Sequence, residues 1–334
     1  MELRRRLAAL GAVLVFLHIC TNAADCTNAG ELVHKLLTDP RLVRHAISLE
    51  LTGRFADAED FPTPAETASP QPTAAVTAAP SPTPQILEAI IAGGIRVDNS
   101  TDYAIDTAQL LTEGPSLTLQ AGQPQILIIH THSSEAYTMD DFDRYEPSDS
   151  SRTQDVNYNV IRVGDVLTDA LREYGLEVIH DREIYDYPSY TGSYDRCGNA
   201  IRKYLEKFPS IAVVIDVHRD AIGSGDVVYK TVAEDENTPC AQTMFVVGTN
   251  ASGLEHPNWE ENLKLALHLQ AAVHLKHPTL QRAVKLVRER YNQQLTTGSL
   301  ILEVGSNGNT LQEALNAVKF FAEGAGPALA ALIK

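Results

Sequence analysis

Cysteine is scarce in this 334-residue sequence, with four in all and no Cys-x-x-Cys pair among them. A thiolate zinc site of the finger or ribbon kind is therefore not expected. Basic residues are also few: 27 Lys plus Arg stand against 43 Asp plus Glu, a formal charge of -16. Phosphate backbones are bound by clustered Lys and Arg, so nucleic acid is not expected as a partner. No internal repeat is visible. The apolar run at 7–20 falls short of the roughly 20 residues that span a bilayer comfortably.

That run is still informative, because Arg4, Arg5 and Arg6 precede it. A basic stretch followed by a short apolar one is the pattern of an export signal. Residues 1–26 are therefore expected to act as a signal peptide or membrane anchor, with everything after them outside the cytoplasmic membrane. Cys20 lies in the run and Cys26 just beyond it, but bulky His18 and Ile19 make a poor lipidation signal. Cys197 and Cys240 are candidates for a disulfide in an oxidising compartment.

Composition divides the rest. Residues 27–53 carry a short helical pattern through Leu32, Leu36, Leu37, Leu42 and Ile47, expected near the membrane. Residues 54–85 are rich in Pro, Ala and Thr, which suits an extended, semi-rigid tether. Residues 86–334 hold the expected folded domain. Apolar runs at 125–130, 177–180, 211–218, 243–247 and 299–304 read as strands. Helical periods are expected at 156–174, 199–208 and 259–275, and from Thr310, where Thr310 and Glu313 form a capping box. Strands without alternation, separated by helices, predict an α/β domain with a mostly parallel central sheet and helices on both faces.

Three of these strands end in chemistry. The first runs into His130-Thr131-His132-Ser133-Ser134-Glu135, the second into His218-Arg219-Asp220, and the third reaches Glu303. Open α/β sheets bind ligands at the carboxyl ends of their strands, and imidazole or carboxylate groups in apolar runs are costly unless paired or used. His132, Glu135 and His218 make a two-histidine, one-carboxylate metal site with room for water. Zinc suits that donor set better than magnesium, which prefers oxygen. A carboxylate beside the metal shell must then move protons, and Glu303 is the candidate. His130 competes with His132 as a ligand. Asp216 and Asp220 flank His218 and could fix its ring. Arg219 is a candidate for a substrate carboxylate or an oxyanion. His268, His274 and His277 are expected at a helix surface, and His256 in a loop.

The segments His130-Thr131-His132-Ser133-Ser134-Glu135-Ala136-Tyr137, Asp216-Val217-His218-Arg219-Asp220-Ala221 and Leu302-Glu303-Val304-Gly305-Ser306-Asn307-Gly308-Asn309-Thr310 resemble the stage II sporulation protein P family. So do Asn159-Val160-Ile161-Arg162-Val163-Gly164, Asp186-Tyr187-Pro188-Ser189-Tyr190, Asn258-Trp259-Glu260-Glu261-Asn262-Leu263 and Tyr291-Asn292-Gln293, in the family's order across about 90–334. The resemblance implies a zinc N-acetylmuramoyl-L-alanine amidase-like fold. It also implies cleavage of the muramoyl-L-alanine amide, with endopeptidase action on cross-links. Sporulation proteins D and M are the implied partners in thinning septal peptidoglycan during engulfment. Broader zinc amidases place their carboxylate ligand at the start of the helix after the first metal loop, where this chain has no Glu. Glu135 is therefore the expected ligand, with Asp155 as its alternative. Arg219, Asp220, His130 and Asn292 are expected beside the site, as substrate contacts or supports. The competing readings are a zinc carboxypeptidase-like hydrolase of soluble peptides and a non-catalytic wall-binding scaffold.

Overall fold

The computed structural model describes residues 94–224, 227–235 and 238–334. The expected signal or anchor, the 27–53 helical segment, the 54–85 tether, Cys20, Cys26 and the first residues of the 86–334 domain all lie outside them.

A seven-stranded sheet forms the centre, in the order β1-β10-β9-β11-β4-β2-β3. Its strands are β1 (Val97–Asn99), β2 (Ile126–Ile129), β3 (Val178–His180), β4 (Val213–Asp220), β9 (Thr243–Gly248), β10 (Val284–Val287) and β11 (Ser299–Ser306). Two small hairpins, β5 (Gly223–Ser224) with β6 (Val227–Val228) and β7 (Ala233–Asp235) with β8 (Thr238–Cys240), lie between β4 and β9 in sequence. The helices are α1 (Thr107–Glu113), α2 (Val160–Arg172), α3 (Ser193–Lys207), α4 (Trp259–Lys276) and α5 (Leu311–Ala330). Every neighbouring pair in the main sheet is parallel except β9 with β11. The sheet thus has a block β3-β2-β4-β11 and a block β9-β10-β1 running the opposite way.

Burial explains the runs read as strands. All four residues of β2 are buried, as are the first seven of β4. Ile126, Ile128, Val213, Ile215, Leu300 and Leu302 pack with α2, α4 and α5 on one face. Leu127, Ile129 and Val214 pack with Cys197 and Ile201 of α3 on the other. The larger cluster therefore lies on the three-helix side.

Three expected boundaries move, each for a local reason. The helix expected from 156 begins at Val160, because Asn159 is its N-cap and accepts from the Ile161 N–H. Upstream, the Asp155 carboxylate accepts from the Asn157 N–H at 3.0 Å in a turn of its own. The helix expected from 199 begins at Ser193, after Gly192 in the left-handed region at φ 82. Strand β4 runs on to Asp220 through its pairing with β11. At α5 the capping box of Thr310 and Glu313 forms as expected. The 197–240 disulfide does not form, since Cys197 lies in the α3 cluster and Cys240 in the larger one. His277 is buried rather than at the surface, with Nε2 3.3 Å from the Glu323 carboxylate.

Candidate metal centre

The carboxyl ends of β2, β4 and β11 lie side by side, and the site grows from their register. Ile129 pairs with Asp216, and Glu303 pairs with His218. Where β2 stops, the chain turns so that the Glu135 N–H donates to the His132 carbonyl at 3.0 Å. Asp216 clamps this turn: its carboxylate accepts from the Thr131 N–H at 2.7 Å and the Thr131 hydroxyl at 2.6 Å. The Glu135 carbonyl accepts from the N–H of Val160, the first residue of α2, at 2.8 Å. The turn is thus tied at both ends.

His132, Glu135 and His218 come together, with one ligand atom from each all within 4.8 Å of one another. The Glu135 carboxylate lies between the rings, Oε1 3.5 Å from His132 Nδ1 and Oε2 3.4 Å from His218 Nδ1. Donors about 2.1 Å from a tetrahedral ion sit about 3.4 Å apart, so these separations fit a metal. The rings stand almost at right angles, 82°, with centroids 5.1 Å apart. On its other nitrogen, His218 Nε2 is 2.9 Å from Asp216 Oδ1, an ion-pair contact off the angle of a hydrogen bond. A carboxylate behind a ligating imidazole fixes the ring and raises its basicity.

The charges are strongly coupled. Burial alone would raise the Glu135 carboxyl. The Arg219 charge and the hydrogen bonds of His132 and His218 outweigh it and hold the group well below its ordinary range. Burial would likewise lower His218, yet Asp216 and Glu135 push it well above. Glu303 goes the other way: burial first, then Glu135 and Asp220, raise it to about 8 against the pull of His218 and Arg219. Its Oε2 is buried with no hydrogen-bond partner among the described residues.

The remaining expected residues have definite places. Arg219 donates from its backbone N–H to Glu135 Oε2 at 3.1 Å, and from its guanidinium to the Ala136 carbonyl at 3.0 Å and the Ser151 carbonyl at 2.9 Å. It braces the loop. Asp220 pairs with Arg282 at 2.7 Å, so only Asp216 of the two flanking carboxylates touches His218. His130 lies outside the trio, with Nδ1 2.9 Å from the Val217 carbonyl and Nε2 2.8 Å from His180 Nε2. Asp155 is exposed in its turn, outside the trio as well. Asn292 donates to the Tyr194 carbonyl at 2.7 Å. His256 is buried in the loop after β9, a strand whose carboxyl end points to the opposite edge.

Four residues beside the trio were not anticipated as site residues. Tyr190 stacks on His132 at 4.4 Å, and Tyr194 meets the same ring edge-on at 5.4 Å. Arg152 lies over Tyr190, contacts Glu135 at 3.5 Å and pairs with Asp186 at 2.6 Å. Asp186 also accepts from the Ser134 hydroxyl at 2.6 Å. Burial, followed by the charge of Asp216, pushes the Tyr194 phenol well above its ordinary range. The segment 186–190 had stood out only as part of a resemblance, and Tyr194 follows it by one turn of loop.

A mixed, mostly parallel sheet with a candidate metal centre at one carboxyl edge defines an α/β protein of the ligand-at-strand-ends kind. Residues 64–325 match the family model described as stage II sporulation protein P. The chain belongs to that family. The stage II sporulation protein P of Bacillus subtilis (strain 168) is 29% identical over 209 residues, covering 59% of this chain and 49% of that protein. The chain thus spans about half the length of the curated relative it matches. Among solved structures it is similar to the N-acetylmuramoyl-L-alanine amidase AmiC2 of Nostoc punctiforme. That match has 11% identity and a TM-score of 0.35, covering 63% of this chain and 96% of that one. It is also similar to the CwlD amidase from Clostridioides difficile, solved in complex with the GerS lipoprotein. Here the identity is 12% and the TM-score 0.40, covering 62% of this chain and 98% of that one. Likeness at those scores adds nothing to the sheet already described.

Proposed function

We propose that this chain is a zinc-dependent peptidoglycan hydrolase of sporulation that cleaves the amide between N-acetylmuramic acid and L-alanine. Family membership supports the setting. The observation that carries the chemistry is the His132–Glu135–His218 donor set with Glu303 next to His218 in the sheet register. Two imidazoles and a carboxylate are a donor set that zinc accepts, with a position left for water.

His132, Glu135 and His218 would hold the ion, and Asp216 would fix the His218 ring. When bound, zinc brings the pKa of water close to neutrality and polarises a carbonyl. Glu303 takes a proton from the attacking water as its oxygen adds to the carbonyl carbon. It returns that proton to the amide nitrogen as the C–N bond breaks, leaving a lactyl carboxylate and a free stem-peptide amine. Placement next to the site and a buried, unpartnered Oε2 suit Glu303 to this exchange.

Residues 1–26 as signal or anchor and 54–85 as a spacer would keep the domain outside the membrane. No helix among the described residues is long and apolar enough to cross one. Sporulation proteins D and M are the partners proposed, and co-purification from sporulating cells tests them. For the activity, the full chain is incubated with purified peptidoglycan, with and without chelator, and bound zinc is measured. Stem peptides with a free L-alanine amine, lost on chelation and restored by zinc, are the expected result. A full chain that binds no zinc and releases no stem peptide even with zinc added would end the hydrolase reading.

A further inference from the structure

Cleavage of an amide leaves negative charge on the former carbonyl oxygen, and preorganised donors aimed at that oxygen are a large part of catalysis. Most obvious donors beside the trio are already committed. Arg219 spends its guanidinium on the Ala136 and Ser151 carbonyls, Arg152 is held by Asp186, and the Asn292 amide is held by Tyr194's carbonyl. Tyr194 differs. Its ring sits edge-on to His132 at 5.4 Å and 5.3 Å from Tyr291. It lies close enough to Asp216 and Glu303 to feel both charges. Its hydroxyl makes no hydrogen bond to a described residue, and it is not among the sealed, partnerless polar atoms, so it is uncommitted and not fully closed off.

Resting on the hydrolase reading above, we propose that the Tyr194 hydroxyl donates a hydrogen bond to the carbonyl oxygen of the scissile amide as that oxygen becomes negative. The phenol keeps its proton throughout; the proton that moves is the one Glu303 takes from the water. The surroundings hold the tyrosine firmly. Tyr194 lies in the first turn of α3, where Asn292 donates to its carbonyl. Asn292 and its neighbour Tyr291 both sit in the left-handed region, at φ 61 and φ 48. Two such residues in a row are strained, and strain persists where surrounding structure needs the geometry. Gly198 of the same helix leaves room for Asn292: a Cβ there would lie 2.7 Å from Asn292 Oδ1. Asn292 is thus a positioning residue for Tyr194.

The test compares Tyr194→Phe with the unaltered full chain. It measures zinc content, thermal unfolding, steady-state cleavage of a muramoyl-peptide and calorimetric binding of a phosphonamidate analogue of the tetrahedral intermediate. Loss of one such donor typically costs about 10²–10³ in kcat. The expected result is a kcat lowered at least tenfold, with KM, zinc and unfolding temperature unchanged and the analogue bound at least tenfold more weakly. Asn292→Ala should lower kcat by less, and Asn292→Asp should not restore it, since a carboxylate cannot donate. Equal analogue affinity and equal kcat for Tyr194→Phe would overturn the proposal while leaving the hydrolase reading intact. An unaltered chain that neither cleaves nor binds the analogue would overturn both.

Discussion

Two histidine pairs lie at the carboxyl edge of β2, and they have opposite characters. His132 and His218 flank the Glu135 carboxylate, with Asp216 behind His218. His130 and His180 touch each other through their Nε2 atoms at 2.8 Å, against a backbone carbonyl and, at His180 Nδ1, Asp165 at 3.2 Å. Burial takes His130 down to about 3, helped by its partner ring. It takes His180 down to about 4, helped by Arg182 and Arg172. His218, just as buried, is raised by its carboxylates. Only the company differs. Imidazoles that flank a shared carboxylate make a candidate cation site, and buried imidazoles that touch each other, with Arg182 and Arg172 near, make a packed, neutral joint.

The sharpest way to break this comparison is to delete one histidine from each pair. His218→Ala should abolish stoichiometric zinc and reduce hydrolysis to background, whereas His180→Ala should keep its zinc, both read by metal analysis of the purified chain. If His180→Ala lost the metal, the division between the pairs would collapse. Glu303→Gln comes next in size: general acid–base groups contribute about 10²–10⁴-fold, so kcat should fall by that order with zinc retained. Retained turnover would move the proton-transfer role elsewhere.

Gly164 sharpens the contrast through packing. A Cβ there would lie 2.6 Å from the Nε2 atoms of both His130 and His180. Overfilling a packed site costs about 1–3 kcal/mol, so Gly164→Ala should lower the unfolding temperature by several degrees without loss of zinc. An unchanged melting curve would mean the joint is looser than it stands here.

The smallest effect is in pH. For the metal-free chain, Glu303 is protonated when folded up to about 8 but ionises near its ordinary value when unfolded. The unfolded state then binds fewer protons, so stability falls as pH rises from about 4.5 to 8. His218, raised when folded, acts in the same direction. His130 and His180 do the reverse: both are depressed, so stability is lost as pH falls below about 6.5. Glu303→Gln should therefore gain stability relative to the parent as pH rises, and His180→Asn should gain it as pH falls. Parallel pH curves for both variants in chelator would contradict the assigned charges.

The sequence made much of this legible, because β2, β4 and β11 are apolar runs interrupted only by the groups that matter. An imidazole or carboxylate closing such a run is conspicuous. The competition between His130 and His132 was not legible, since the choice depends on a turn that carries His132 toward Glu135 and leaves His130 under α2. Asp155 looked eligible by position, yet its carboxylate is engaged in a local turn with Asn157. The tyrosines near His132 come from a loop and the start of α3, where no periodicity marks them. Strands β1 and β10 escaped notice because they are short and partly exposed. The reversal at β9 was invisible too, since a buried strand reads the same whichever way its neighbour runs.

That reversal has a practical side. The strands β9 and β10 deliver their following loops to the edge opposite His132, Glu135 and His218. Ser252, Gly253 and Leu254, exposed in the first of these loops, give an attachment point far from the chemistry along the strand direction. A fluorescent reporter inserted there should report where in the cell this protein sits while the opposite edge remains open to the bulky wall substrate proposed above.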